Sequence, residues 1–289
     1  RVLFRSASSA QGNLVLASVA MLDVSGAGDG DAGRLALSAP QGRLSLDGQL
    51  RAAASSAAVM PASLSLDSQQ AVDLGALATA INNAGTRAFE RQIAVRNRMG
   101  AQSLPGGARL AAQQIELSSD AGSLTVAGDI VGLKSGAGGG QIQLNADGDL
   151  VIASGARLST AGNGGSSDRD PSSISLNSSR GWLRLQGGSV QLDGGDLRLR
   201  AARNGQDVQI DAIQTRLTAV GSVDIEAVKV YDQVTNLVGG VVPAPTAAPN
   251  PSPSPSASPS PSASPSPSAS PSPSASPSPS ASPSPSASP

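Results

Sequence analysis

The sequence contains neither cysteine nor histidine in its 289 residues. Without cysteine the chain forms no disulfide and offers no thiolate as a nucleophile or metal ligand. Without histidine it cannot build a Ser-His-Asp triad or an imidazole metal site. Catalysis would have to rest on Asp, Arg, Lys or Ser alone. We therefore expect a protein that is not an enzyme, with no catalytic residues, no metal ligands and no cofactor.

Aromatic residues are also scarce, with one Trp, one Tyr and two Phe in the whole chain. A compact globule with one thick centre usually depends on aromatic side chains for buried area. Here Leu, Val, Ile and Ala must supply nearly all of it. This composition predicts a thin, extended core of stacked aliphatic side chains.

The chain also lacks an excess of charge of either sign. The chain has 20 basic and 21 acidic residues and a formal net charge of -1. No basic field is present to attract a phosphate backbone, so we expect no nucleic-acid partner. No apolar run approaches the length of about 18 residues that a spanning helix requires, so we also expect no integral membrane segment.

The N-terminus has no charged-then-apolar signal pattern, and its first six residues, RVLFRS, match the translation of the end of a common sequencing adapter. We therefore interpret residues 1–6 as an adapter artefact and exclude them from the fold prediction. On this interpretation the chain is a fragment, and any export signal lies upstream of it.

Internal repetition is the main feature that is present. Apolar residues recur in pairs two apart, as expected for strands with one buried face. Short turns rich in Asp, Asn, Ser and Gly separate the pairs. The clearest pairs are Ile115/Leu117, Leu124/Val126, Ile142/Leu144, Leu150/Ile152, Ile174/Leu176, Leu183/Leu185, Val190/Leu192, Leu197/Leu199, Val208/Ile210 and Val223/Ile225.

Three such strands make one coil, and the coils restart at Ile115, Ile142, Ile174 and Leu197. The extra residues of the longer coils, 132–140 and 160–173, both follow the third strand. Hairpin sheets would favour two-residue Asn-Gly or Asp-Gly connections and two facing sheets. Variable loops at one corner of each coil instead predict an all-β fold, a right-handed parallel β-helix.

The pattern is looser before residue 68 and breaks after it. Leu74, Leu77 and Ile81 have helical spacing, and Phe89 and Ile93 follow at a four-residue step. The C-terminal PSPSAS repeat is too rich in proline for helix or sheet and too poor in apolar residues to fold. The predicted segments are a looser solenoid at 7–73, a helical or irregular excursion at 74–100, β-helix coils at 101–235, a transition at 236–250 and a disordered low-complexity linker at 251–289.

Two pairs of carboxylates are close enough in sequence to serve hydrolysis or metal binding, Asp147/Asp149 and Asp193/Asp196. Each pair lies where a strand must turn, and Asp and Gly are typical turn residues. We favour the turn interpretation for both pairs.

Other local motifs are weaker. Asp29 and Asp31 lie among glycines, as in calcium-binding repeats, but the unit occurs once instead of repeating. The glycine-rich stretch 136–141 leads into a strand, not a helix, so it does not predict a phosphate site. NSS at 177–179 is formally a glycosylation acceptor. We interpret the first two as turn or loop sequence and assign the third no role, because so short a motif occurs often by chance.

The lone aromatic residues Trp182 and Tyr231 could stack on sugars. Isolated aromatic residues are more often packing or capping residues, and two of them do not make a binding cleft. We favour the packing interpretation.

Several phrases carry a family resemblance: AGDIVGLKSGAGGGQIQLNADGDLVIASGARLSTAG, GDLRLRAARNGQDVQIDAIQTRLTAVGSVDIEAVKVYD and IAVRNRMG. They resemble the filamentous-haemagglutinin-like large exoproteins of Gram-negative bacteria, the secreted partners of two-partner secretion systems. The similarity covers roughly residues 70–235. It lies in the glycine-punctuated strand phrases and involves no catalytic motif.

The resemblance implies a secreted or cell-surface β-helical shaft that is exported through the outer membrane by a dedicated β-barrel transporter. It also implies adhesion to a receptor or glycan on host cells, other surfaces or neighbouring bacteria. This sequence lacks the family's N-terminal secretion domain with its NPNG-type motif, and no binding residue of the family matches a motif here.

Two alternatives stay open. A β-helical enzyme acting on polysaccharides would need convergent carboxylates, usually with aromatic or basic residues on one face, and the sequence offers few. An autotransporter passenger would differ only in having a C-terminal membrane barrel encoded by the same gene.

Overall fold

The computed structural model describes residues 4–134, 138–160 and 172–228. These residues form a parallel β-solenoid of about eight turns, which confirms the predicted fold class. The right-handed sense of the coil stays a prediction. The chain divides into two units, Arg1–Gln233 and Val234–Pro289, and every described residue belongs to the first. The predicted transition at 236–250 and linker at 251–289 lie outside the described residues.

One sheet runs through every coil, and we call it the first sheet. Its order follows the chain, with each strand parallel to the next. Its strands are β1 (Phe4–Ser8), β4 (Arg34–Ala39), β7 (Ser63–Ser68), β8 (Gln92–Asn97), β11 (Gln114–Ser119), β14 (Gln141–Ala146), β17 (Ser173–Ser178), β20 (Asp196–Asn204) and β23 (Ser222–Val228).

The second and third sheets complete most coils with shorter strands. The second sheet contains β2 (Leu14–Leu16), β5 (Leu44–Leu46), β9 (Gln102–Leu104), β12 (Leu124–Val126), β15 (Leu150–Ile152) and β18 (Leu183–Leu185). The third contains β3 (Met21–Asp23), β6 (Gln49–Arg51), β10 (Arg109–Ala112), β13 (Asp129–Gly132), β16 (Arg157–Ser159), β19 (Ser189–Gln191) and β22 (Arg216–Thr218). Both sheets are interrupted once, between β5 and β9 and between β6 and β10.

A short helix, α1 (Leu74–Asn82), accounts for the interruption, because it follows β7 where other coils have a second-sheet strand. Asp73 caps its N-terminus, and its Oδ1 accepts hydrogen bonds from the backbone N–H groups of Gly75 and Ala76, both at 2.9 Å. Its apolar side packs into the core through Leu74, Leu77, Ala78 and Ile81. Within the described ranges, no helix has the length and apolar character needed to span a membrane.

The excursion predicted at 74–100 is wrong in its last part, because Gln92–Asn97 is strand β8 of the first sheet. Ile93 and Val95 lie two apart, point inward and pair in register with Leu64 and Leu66. Phe89 has a φ of 54°, which is incompatible with a right-handed helix, so its four-residue step to Ile93 spans a turn.

A second difference concerns Val208/Ile210, predicted as a coil strand. Asp207–Val208 (β21) instead pairs antiparallel with the end of β20, and Ile210 makes a single parallel bridge to Leu183. The reason is a tight turn at Asn204 and Gly205, where glycine adopts a φ of 63°.

The core is a set of aliphatic columns that run along the solenoid axis. One column contains the inward residues that begin each first-sheet strand, and its members from β4 to β20 are at most 2% exposed: Leu35, Leu64, Ile93, Ile115, Ile142, Ile174 and Leu197. Burying one such side chain stabilises the fold by about 1.5–3 kcal/mol. Phe89 is the one aromatic residue in the buried core of the described part.

Small polar residues and glycines form the corner after the first sheet. The buried hydroxyl of Ser119 donates to the Gly100 carbonyl at 3.0 Å, and that of Ser178 donates to the Gly148 carbonyl at 2.8 Å. These hydrogen bonds satisfy both buried hydroxyls and also join successive coils. Glycine is required there, since a Cβ on Gly122 would overlap the Gly100 carbonyl.

Both predicted insertions lie where expected. The chain leaves the third sheet at the end of β13 and returns at β14, and it leaves again at the end of β16 and returns at β17. Residues 135–137 and 161–171 within them lie outside the described residues. Of the hexapeptide interpreted as an artefact, residues 4–6 lie in β1, paired with Arg34, Leu35 and Ala36 of β4.

Candidate functional site

Asp147 and Asp149 lie at the corner between β14 and β15, and each contacts the following coil. Asp149 Oδ1 accepts a hydrogen bond from the Trp182 backbone N–H at 2.8 Å, and its Oδ2 lies 3.3 Å from Arg184 Nη2. Asp147 Oδ2 lies 3.5 Å from Arg180 Nη1. The two carboxylates therefore hold turns together and are paired with arginines.

Asp193 and Asp196 have different partners and do not act as a pair. Asp193 forms an ion pair with Lys134, which belongs to an earlier coil. Asp196, the first residue of β20, accepts a hydrogen bond from the Ser222 hydroxyl at 2.7 Å. Both contacts join coils to one another.

Asp29 is exposed in its loop, whereas Asp31 Oδ1 accepts a hydrogen bond from the Met60 backbone N–H of the next coil at 2.8 Å. Across 4–134, 138–160 and 172–228, no group of three or more acidic, Cys or His residues could hold a metal ion. In the glycine-rich stretch, a Cβ on Gly140 would overlap the backbone of Gly132, so close packing of the chain explains this glycine.

The aromatic candidates are not brought together. Trp182 is partly buried at a corner, where its carbonyl accepts a hydrogen bond from the Leu150 backbone N–H at 2.9 Å. Tyr231 lies outside the described residues. Asn177, the first residue of the NSS motif, is partly buried on the outer face of β17.

A concave site that sequence reasoning missed lies on the outer face of the first sheet, across β7, β8 and β11. We call it the first-sheet groove. It has a volume of about 440 Å³ and is lined by Ser65, Asp67, Ala94, Arg96, Glu116 and Ser118. Its floor is low because Ser65 and Ala94 are small and occupy neighbouring positions of one outward column.

Charged residues line the rim of this groove. Arg98 forms a bidentate contact with Asp67, with Nε to Oδ1 at 2.8 Å and Nη2 to Oδ2 at 2.9 Å. These hydrogen bonds hold the pKa of Asp67 below its usual value and raise that of Arg98. Arg96 lies 2.7 Å from Asp120. Glu116 is exposed and has no hydrogen-bond or ionic partner among the described residues.

The groove was missed because β8 was not recognised as a strand. Ala94 and Arg96 supply its centre, and both lie within the segment interpreted as an excursion. The signal that could have found β8 is the alternation of Ile93, Val95 and Asn97, which are buried on the inner face.

Comparisons with known proteins add no assignment to this geometry. The similarity to filamentous-haemagglutinin-like exoproteins stays a prediction from the sequence phrases. No protein-family model matches the chain, and no curated protein or solved structure matches it.

Proposed function

We propose that the chain is a structural and adhesive section of a secreted or surface-exposed bacterial exoprotein of the filamentous-haemagglutinin-like type, without a catalytic role. The observation that carries the proposal is the first sheet, which stays in parallel register from β1 to β23. Each coil adds one strand spacing of about 4.8 Å, so about eight turns extend roughly 40 Å along the axis. Length and surface are what such a stack supplies.

The way this fold forms also suits export. Each coil contacts mainly its neighbours, so folding propagates from one coil to the next. A chain without cysteine needs no disulfide to complete that process. A protein that crosses a membrane unfolded and folds outside benefits from both properties. We propose the outer-membrane transporter of a two-partner system as its export partner.

The polar outer faces favour an adhesive role and do not favour an enzyme with a buried active centre. Arginines pair with acidic residues of neighbouring coils, as Arg184 does with Asp149 and Arg200 does with Glu226. Such pairs leave the charge of the outer faces nearly balanced.

Adhesion of protein-coated particles tests the proposal. Microspheres coated with the purified chain are applied to epithelial cells and to layers of Gram-negative bacteria, with albumin-coated microspheres as the reference. We expect the chain to increase attachment to at least one of these surfaces. Attachment equal to that of albumin on every surface would contradict an adhesive role. Release of reducing ends from polysaccharides by the same preparation would instead support the β-helical enzyme.

A further inference from the structure

The outer face of the first sheet presents amide side chains in register from β8 to β17. Because neighbouring strands lie about 4.8 Å apart, these amides recur at that spacing along the axis. Gln114, for example, pairs in register with Gln92 on one side and Gln141 on the other. We call this surface the amide face, and its members are Gln92, Gln114, Gln141, Gln143, Asn145 and Asn177.

Most of these amide side chains form no hydrogen bond within the described part of the chain. Gln114, Gln141 and Gln143 are exposed, and their side chains form no hydrogen bond with any residue in the described part of the chain. Asn145 is an exception, because its Nδ2 donates to the Ser118 hydroxyl at 3.2 Å. An amide carries two donor hydrogens and an acceptor oxygen. The unpaired glutamines therefore offer both kinds of group to a ligand.

The first-sheet groove continues the amide face toward β7. Glu116 connects the two, since it lines the groove and pairs in register with Gln143 of the amide face. The groove volume of about 440 Å³ is within the usual range of small-ligand sites, about 300–1,000 Å³. Arg96, whose side chain is 52% exposed, adds donors at the rim, and Glu116 adds acceptors. The first-sheet groove and the amide face thus form one continuous polar surface.

The charge on this surface disfavours anions. Arg98 is paired with Asp67 and Arg96 with Asp120, so both arginines near the groove are neutralised by carboxylates. Glu116 adds an unpaired negative charge within the described part. A sulfated or phosphorylated polymer would meet repulsion here, whereas an uncharged polymer would not.

We infer that the amide face and the first-sheet groove together bind a neutral polysaccharide, whose hydroxyl groups donate to and accept from the glutamine amides and Glu116. The inference rests on the adhesive function proposed above and names its ligand class. Water competes at an exposed face, so one site binds weakly. Many chains presented together on a surface would supply strong attachment.

Binding of uncharged polysaccharides to the immobilised full chain tests the inference. The probes are dextran, mannan and a soluble β-glucan, with heparin as the anionic reference, each measured at low and high salt. The face variant carries Gln114→Ala, Glu116→Ala and Gln143→Ala. A separate variant, Ala94→Leu, fills the groove with an aliphatic side chain and removes no polar group.

The control variant carries Ser103→Ala, Thr125→Ala and Arg109→Ala, three outward positions on the second and third sheets of nearby coils. All variants change outward side chains, and thermal unfolding verifies that each remains folded. We expect a neutral polysaccharide to bind the original chain independently of salt. Its binding should weaken by about tenfold or more in the face and groove variants and stay unchanged in the control.

The contrary outcomes separate this inference from the proposed function. Equal binding by the face, groove and control variants would overturn the location. Salt-sensitive binding of heparin alone would overturn the ligand class. If no polysaccharide binds while the coated microspheres still attach to cells, this inference fails and adhesion survives. If neither occurs, both fail.

Discussion

The tight corner between the second and third sheets allows a sharp test of the stacked coils. At Gly128, an added Cβ would lie 2.6 Å from the Pro105 carbonyl oxygen and closer still to that of Ala108. Cβ contacts below 3.0 Å essentially do not occur. Both obstacles are backbone atoms of the preceding coil, so Gly128→Ala must push two coils apart. We expect a loss of about 3 kcal/mol in the free energy of unfolding, the upper end of overpacking costs.

Gly155 supplies the matched control, because it occupies the same corner one coil later. An added Cβ there would lie 3.7 Å from the nearest atom, the Ala127 carbonyl oxygen. Gly155→Ala should therefore be neutral or stabilising by up to about 1 kcal/mol, since alanine restricts the unfolded chain. Urea unfolding followed by the fluorescence of Trp182, the single tryptophan, measures both variants. Equal stability of the two variants would refute the stacking of coils at this corner.

Three further predictions concern stability, and thermal or urea unfolding measures each. The pKa of Asp67 is lower in the folded chain than in the unfolded one, so its pairing with Arg98 stabilises above about pH 4 and is lost as the pH falls through the folded pKa. Asp67→Asn should reduce this acid sensitivity, and an unchanged pH profile would argue against the pairing. Asp73→Ala should lower stability by about 1 kcal/mol through loss of the helix cap, and unchanged stability would contradict the capping role of Asp73. Leu144→Ala should cost about 2–5 kcal/mol because Leu144 is fully buried, whereas the outward Gln143→Ala should change stability by less than about 0.5 kcal/mol. Similar losses for these two would contradict the assigned inner and outer faces.

The sequence was sufficient for the coil pattern because burial repeats every second residue. Ile115/Leu117 and Ile142/Leu144 alternate with polar neighbours, and each pair points inward in the structure. The start of α1 was also visible, since Leu74, Leu77 and Ile81 have helical spacing. Local periodicity determines both kinds of element, so local sequence predicts them.

The groove could not be predicted in the same way because it depends on register between coils. Ser65, Ala94 and Glu116 are neighbours only when β7, β8 and β11 are aligned. Coil lengths vary through α1 and the insertions, so the alignment is not fixed by a constant repeat. The sequence pattern at 74–100 predicted an excursion in place of β8, so the expected sheet lacked its central strand. Without β8, the outward column of Ser65, Ala94 and Glu116 could not be recognised.

A pair of double-cysteine variants tests the parallel stacking of the coils most directly, because the chain has no cysteine of its own. Ser118 and Asn145 are register partners on adjacent first-sheet strands, about 4.8 Å apart. Asn177 lies one strand further, at about 9.6 Å from Ser118, which is beyond disulfide reach of about 7 Å. The parallel register predicts that mild oxidation crosslinks Ser118→Cys with Asn145→Cys and leaves Ser118→Cys with Asn177→Cys reduced. Crosslinking of the second pair, or of neither, would contradict the parallel stack on which the shaft, the groove and the amide face depend.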